Sequence, residues 1–155
     1  METFKKNTFS DFLGKDINFL QSNHSLSRLK NTIRGLHYQS PPYAQGKLVR
    51  CNRGAILDVA VDVRAKSVTY GDHVVAELSS QNARQLWIPD GFLHGFITLV
   101  DNTEVQYMCT DYYDSKSDGN IIWNDRTLNI NWGIVESDAI ISDKDMSAPL
   151  FKNFR

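Results

Sequence analysis

The sequence predicts an all-β fold, a sandwich or barrel of short strands, and three features carry that reading. The stretch "AILDVAVDVR" (55–64) places Leu57, Val59, Val61 and Val63 on one face and Asp58, Ala60, Asp62 and Arg64 on the other. That period of two belongs to a strand. Other short apolar runs recur at near-regular spacing between turn residues, as in sandwiches and barrels. Only one stretch has helical spacing, and it is short.

The elements follow in order. Phe9, Phe12 and Leu13 in "FKKNTFSDFLGK" fall at helical spacing, which predicts a short helix from about residue 4 to 13 ended by Gly14. The apolar "INFL" (17–20) then leads into the polar run "QSNHS" (21–25). "RGLHY" (34–38) and "FLHGF" (92–96) are strand-like stretches, each with a histidine one or two residues from a glycine. "KLVRCN", "HVVAEL", "RQLWIP", "GFITLV" and "EVQYMCT" are further strand candidates, punctuated by Gly54, Gly71, "PDG" (89–91) and "DNT" (101–103). The last third, with "DGNIIWND", "LNINWG" and an acidic-apolar tail, is expected to be irregular and to pack over the sheet.

The 155 residues, with no repeat and no linker, read as one domain spanning 1–155. A hydrophobic share of 41% and a charged share of 23% are ordinary globular composition. The net charge of −1, with no block of like charge, leaves no electrostatic footprint for nucleic acid. No apolar run is long enough to span a bilayer, and the opening residues have no signal-peptide pattern. Cys51 and Cys109 sit in no metal or redox pair, so the expectation is a reduced, cytoplasmic protein with two buried thiols.

Three chemistries compete for the histidines. His73 follows Gly-Asp at a strand entrance and reads as an ordinary surface group, as a histidine usually does. His37 and His94 stand beside glycines, which let a ligand or another backbone come close. A metal site is disfavoured because the chain has no H-x-H and no H-x-x-x-H, although "PDGFLH" resembles the second motif of metal-binding cupins. A nucleophilic hydrolase lacks G-x-S-x-G and any flanking base for the cysteines. Proton abstraction beside a carbonyl needs a base, a cation for the enolate oxygen, and an acid on the opposite face. His37, Lys47 and Tyr107 supply those types. Judged singly, Lys47 reads as a solvated strand-start lysine and Tyr107 as a core aromatic, and spacing alone does not bring them together.

The ordered motifs "SNHSLS", "IRGLHYQ", "AQGKLVRCNRGAILDVAVDVR", "SVTYGDH", "LSSQNARQLWIPDGFLHGF", "EVQYMCTDYY", "IIWND" and "ISDKD" resemble the dTDP-4-dehydrorhamnose 3,5-epimerase family. The resemblance covers about Glu2 to Leu150. It implies a cupin-type jelly roll, usually a homodimer, acting on a nucleotide-linked sugar without metal or cofactor. Residue by residue, it implies that His37 is the general base and that Asp145 orients it. Lys47 would lie near the sugar C4 oxygen, and Tyr107 would be the acid. Arg34 and Lys144 resemble the phosphate-contacting cations. Gln21, Ser22 and Asn23 match the Q-x-N substrate segment, and His94 matches a second pocket histidine. Tyr113 corresponds to an aromatic near the nucleobase, and Asp118 stands where the family more often has Glu. Glu2 falls on the last residue of the family's R-G-x-F-x-E segment, whose Arg and Phe have no counterpart in this sequence. The expectation is an intact catalytic set with part of the nucleotide grip missing. A 3,4-ketoisomerase of the same sugars, or a cupin that binds sugar nucleotides without turning them over, are the competing functions.

Overall fold

The computed structural model describes residues 1–154. Its strands are β1 (Gln21–Ser27), β2 (Ile33–Gln39), β3 (Lys47–Arg53), β4 (Ala55–Asp62), β5 (His73–Ser79), β6 (Gln85–Ile88), β7 (Phe92–Thr98), β8 (Thr103–Cys109) and β9 (Asp118–Asn120). They form two antiparallel sheets, ordered β1-β8-β3-β6 and β5-β4-β7-β2-β9. This is the all-β jelly-roll sandwich expected, and every strand candidate is a strand. Most boundaries move by one or two residues, and one moves further. The strand around "GFITLV" begins three residues earlier, because Phe92, Leu93 and His94 pair with Asp62, Val61 and Ala60 of β4.

The alternation of β4 serves two interiors. Val59, Val61 and Val63 face outward from the five-stranded sheet and join Ile33, Leu36, Leu93 and Ile97. The C-terminal segment roofs this surface with Ile121, Trp123, Leu128, Trp132 and Phe151. The opposite face, with Ile56 and Ala60, meets Val49, Cys51, Ile88 and Val105 between the sheets. Asp58 and Asp62 share that inner face and are buried. Burying a Val, Leu or Ile contributes about 1.5–3 kcal/mol, which keeps the roof seated although it has little regular structure. Its polar backbone is paired locally. The Asp125 carboxylate accepts from the amides of Thr127, Leu128 and Phe151, and the Trp132 indole N–H donates to the Trp123 carbonyl at 2.8 Å.

Helix α1 (Lys6–Leu13) ends at Gly14, whose φ of 67° is the left-handed conformation that glycine adopts freely. Its aromatic face is only half used. Phe9 packs edge-on to Phe4, at 5.8 Å between centroids, and to Trp87 at 5.5 Å, while Phe12 stays 80% exposed. A helix of two turns on the outer rim of the four-stranded sheet cannot bury both phenylalanines. Cys51 and Cys109 are buried, free thiols. No helix among the described residues is long and apolar enough to cross a membrane.

Candidate active site

Strand parity decides which side chains meet between the sheets. Lys47 on β3, Tyr107 and Cys109 on β8, and Gln21, Asn23 and Ser25 on β1 all line the space between them. On β2 a strict period of two would send Arg34 and His37 to opposite faces. A bulge prevents this, because Arg34 opposes Phe96 and His37 opposes His94, three residues of β2 spanning two of β7. Leu36 thereby takes the outer core while Arg34 and His37 both reach the cavity. Glycine is required at the crossing. A Cβ on Gly35 would sit 2.6 Å from the His94 carbonyl oxygen, and one on Gly95 2.8 Å from the Arg34 carbonyl oxygen.

The cavity has two chambers that share His37, Lys47 and Tyr107 as walls. One, of about 330 Å3, is lined with amides and phenols, including Gln21, Asn23, Gln45, Tyr113 and Asp118. The other, of about 280 Å3, gathers Arg34, His94, Lys144 and Asp145 with Ser25. A larger groove of about 580 Å3 lies outside the four-stranded sheet between α1 and Trp87, and none of the paired acid and base groups reaches it.

His37 Nε2 and Asp145 Oδ1 are 2.6 Å apart. Asp145 arrives from α2 (Asp143–Met146), a single turn capped by Ser142, which accepts the Asp145 amide at 3.2 Å. Burial works against the Asp145 carboxylate, but the His37 bond and charge, with the Gly35 amide and the Ser142 hydroxyl, outweigh it and hold the carboxyl below its ordinary range. With Nε2 committed to a carboxylate, Nδ1 is the ring nitrogen that this pair leaves unengaged. Burial lowers the Lys47 ammonium from its usual value, against the opposing pull of Cys109, Asp118 and Asp58. Burial raises the Tyr107 phenol, with Cys109 adding and Arg34 opposing, so the phenol keeps its proton at neutral pH.

A second pair lies deeper, where buried His94 meets fully buried Asp58 at 2.7 Å. At the outer end the Lys144 ammonium binds Asp118 at 2.6 Å, and that bond raises its pKa. The Tyr113 amide donates to Gln21 Oε1 at 3.0 Å. No three His, Cys, Asp or Glu side chains among the described residues converge as metal ligands.

Two expected residues lie elsewhere. Ser22 takes the outward parity of β1, where its hydroxyl accepts from Gln106. Glu2 lines the outer groove rather than either chamber. Among the polar groups in or directly behind the cavity, Gln45, Asp58 and Ser25 went unforeseen. Gln45 donates to the Asp111 carbonyl, Asp58 anchors His94, and Ser25 continues the inward rail begun by Gln21 and Asn23. Extending the period of two by one step beyond Q-x-N would have found Ser25.

A family model described as dTDP-4-dehydrorhamnose 3,5-epimerase matches residues 1–153. The chain belongs to the dTDP-4-dehydrorhamnose 3,5-epimerase family. A member from Salmonella typhimurium is 48% identical over 149 residues, covering 96% of this chain and 80% of the relative. The crystal structure of the epimerase from Elizabethkingia anophelis superposes with a TM-score of 0.95 at 40% identity, covering 99% of this chain and 83% of that one. The epimerase from Legionella pneumophila, solved in complex with dTDP-4-keto-L-rhamnose, gives a TM-score of 0.94 at 42% identity, over 99% and 80% of the two chains.

Proposed function

We propose that this chain epimerises C3 and C5 of a dTDP-linked 4-keto-6-deoxyhexose, on the road to a dTDP-linked rhamnose. The observation that carries the reading is the 2.6 Å His37–Asp145 pair in one cavity with Lys47 and Tyr107. The C4 ketone acidifies the protons on both neighbouring carbons. His37 Nδ1 takes one of them, and the C–H electron pair moves to make an enolate with its charge on the C4 oxygen. Asp145 stabilises the imidazolium so formed. Lys47 faces the developing oxyanion, where a positive group in a space screened from water is most effective. The Tyr107 phenol then delivers a proton to the opposite face, and the stereocentre inverts. Solvent returns the proton to Tyr107 and removes the one on His37, and reorientation of the sugar ring presents the second carbon.

Arg34 and Lys144 serve as the diphosphate contacts, and Gln21, Asn23, Tyr113 and Asp118 as the nucleoside end. The protein acts in the cytoplasm as a homodimer. Glu2 then serves a nucleotide in a neighbouring copy, since in its own chain it lies beyond the sheet from the cavity. Incubation with dTDP-4-keto-6-deoxyglucose in deuterated water, followed by NMR, tests the reaction. Deuterium at C3 and C5 with inversion at both is expected. Exchange with migration of the keto group would mean a ketoisomerase, and no exchange at all would leave a binding protein.

A further inference from the structure

The inward side chains of β1 are bonded, with one exception. Gln21 donates to Asn23 Oδ1 at 3.0 Å, and Asn23 reaches Cys109 Sγ at 3.8 Å. Ser27 Oγ accepts from Arg34 Nε at 3.3 Å. Ser25 lies between them, and its Oγ is shut off from solvent with no hydrogen-bond partner among the described residues. Two side chains on other strands, Asn52 of β3 and Asp58 of β4, also have a buried, unmatched oxygen. Asn52 uses its amide nitrogen on Gln106, and Asp58 uses its other oxygen on His94. Of the three, only Ser25 lines the chamber that holds Arg34, His94 and Lys144.

A buried hydroxyl without a partner carries its full desolvation penalty, and Ala at the same position would carry none. Folding therefore gives no reason for a hydroxyl here, whereas a ligand oxygen in the chamber would. We infer that Ser25 is a substrate-recognition residue, whose hydroxyl turns about χ1 to hydrogen-bond an oxygen of the bound sugar diphosphate. Rotation between staggered χ1 wells leaves the backbone untouched. The inference rests on the sugar-nucleotide reading proposed above.

The test is Ser25→Ala, with Ser25→Thr keeping the hydroxyl. Calorimetry measures binding of dTDP, and of dTDP-glucose, which has no C4 ketone and does not react; thermal melts accompany it. Recognition predicts affinity weakened about fivefold to fifteenfold in Ser25→Ala, restored at least in part by Ser25→Thr, while the Ala variant melts no lower than the native chain. Weakening of both ligands places the bond on a phosphate oxygen. Weakening of dTDP-glucose alone places it on the sugar. A lower melting temperature with unchanged affinity would make Ser25 a structural residue and overturn the inference. If the native chain binds neither compound, the substrate reading falls and takes this inference with it. If the native chain binds both and Ser25→Ala binds them equally well, only the assignment of Ser25 falls.

Discussion

Replacing Asp145 by Asn preserves shape and removes the charge that faces His37 across 2.6 Å. In the mechanism proposed above, the carboxylate accepts Nε2–H in the resting site and neutralises the imidazolium once the substrate proton has moved. A carboxamide oxygen accepts without charge, and its NH2 group, if turned toward the ring, selects the wrong tautomer. Charge-assisted hydrogen bonds contribute roughly 1.5–3 kcal/mol against roughly 0.5–1.5 for neutral ones, and the tautomer error adds to that difference. In a fully buried serine-protease triad the same exchange lowers turnover about 10⁴-fold. Here the His37 side chain is 32% exposed, so solvent carries part of the imidazolium's charge. We therefore expect turnover to fall about 10²–10³-fold, equivalent to roughly 3–4 kcal/mol of barrier. The Asp145 side chain is buried behind His37, at 6% exposure, so KM should hardly change. Initial rates of deuterium incorporation at C3 and C5 give kcat and KM separately. A loss below about fivefold, or one residing in KM, would refute the role given to this pair.

Three further substitutions probe the rest of the molecule. Tyr107→Phe should still wash deuterium into the substrate while inverted product falls at least about tenfold; parallel loss of exchange and inversion would mean that Tyr107 helps form the enolate. His94→Asn should raise KM about threefold to tenfold with kcat largely kept, and should lower the melting temperature because Asp58 loses its ring partner; a pure kcat defect would contradict this. Asp62 is held far below the usual carboxylate range, first by its Arg64 bonds and then, against burial, by Ser67 and Thr69. A depressed carboxyl stabilises the fold above its unfolded pKa of about 3.9, and that stability drains away as the pH falls toward the folded value. Urea melts should therefore show Asp62→Asn weaker than the native chain at pH 7, with the gap narrowing below about pH 4.

What was legible in the sequence followed the apolar alternation. β4 was plain because Leu57, Val59, Val61 and Val63 repeat without interruption. β1 was missed for the complementary reason, since its inward residues are Gln21, Asn23 and Ser25, a polar row that lines the cavity. Which face of β4 points into the sandwich was also hidden. The residues with carboxylates turn inward, because the distant C-terminal segment covers the valines. The candidate catalytic residues and their expected meeting in one site came from motif resemblance, and the backbone device that allows the meeting did not. The bulge at Gly35–Leu36 puts Arg34 and His37 on one side, and no local pattern announces it. Ser22 shows the limit of motif transfer, since a position inside a matched segment can still face away.

The two members of the proposed catalytic pair lie 108 residues apart, and the downstream one rides on the irregular roof rather than on a strand. The roof touches down beside β2 through the Thr32–Ile140 bridge, with paired backbone bonds from Ile33 and to Asn31. On the proposed mechanism, a jelly roll with every strand in register is not yet a catalyst without this C-terminal stretch seated beside β2. The opening free energy of that stretch, rather than the stability of the whole domain, sets the working fraction of molecules under mild stress. Inactivation should run ahead of unfolding: activity should be lost at a lower urea concentration than the strand signal in circular dichroism.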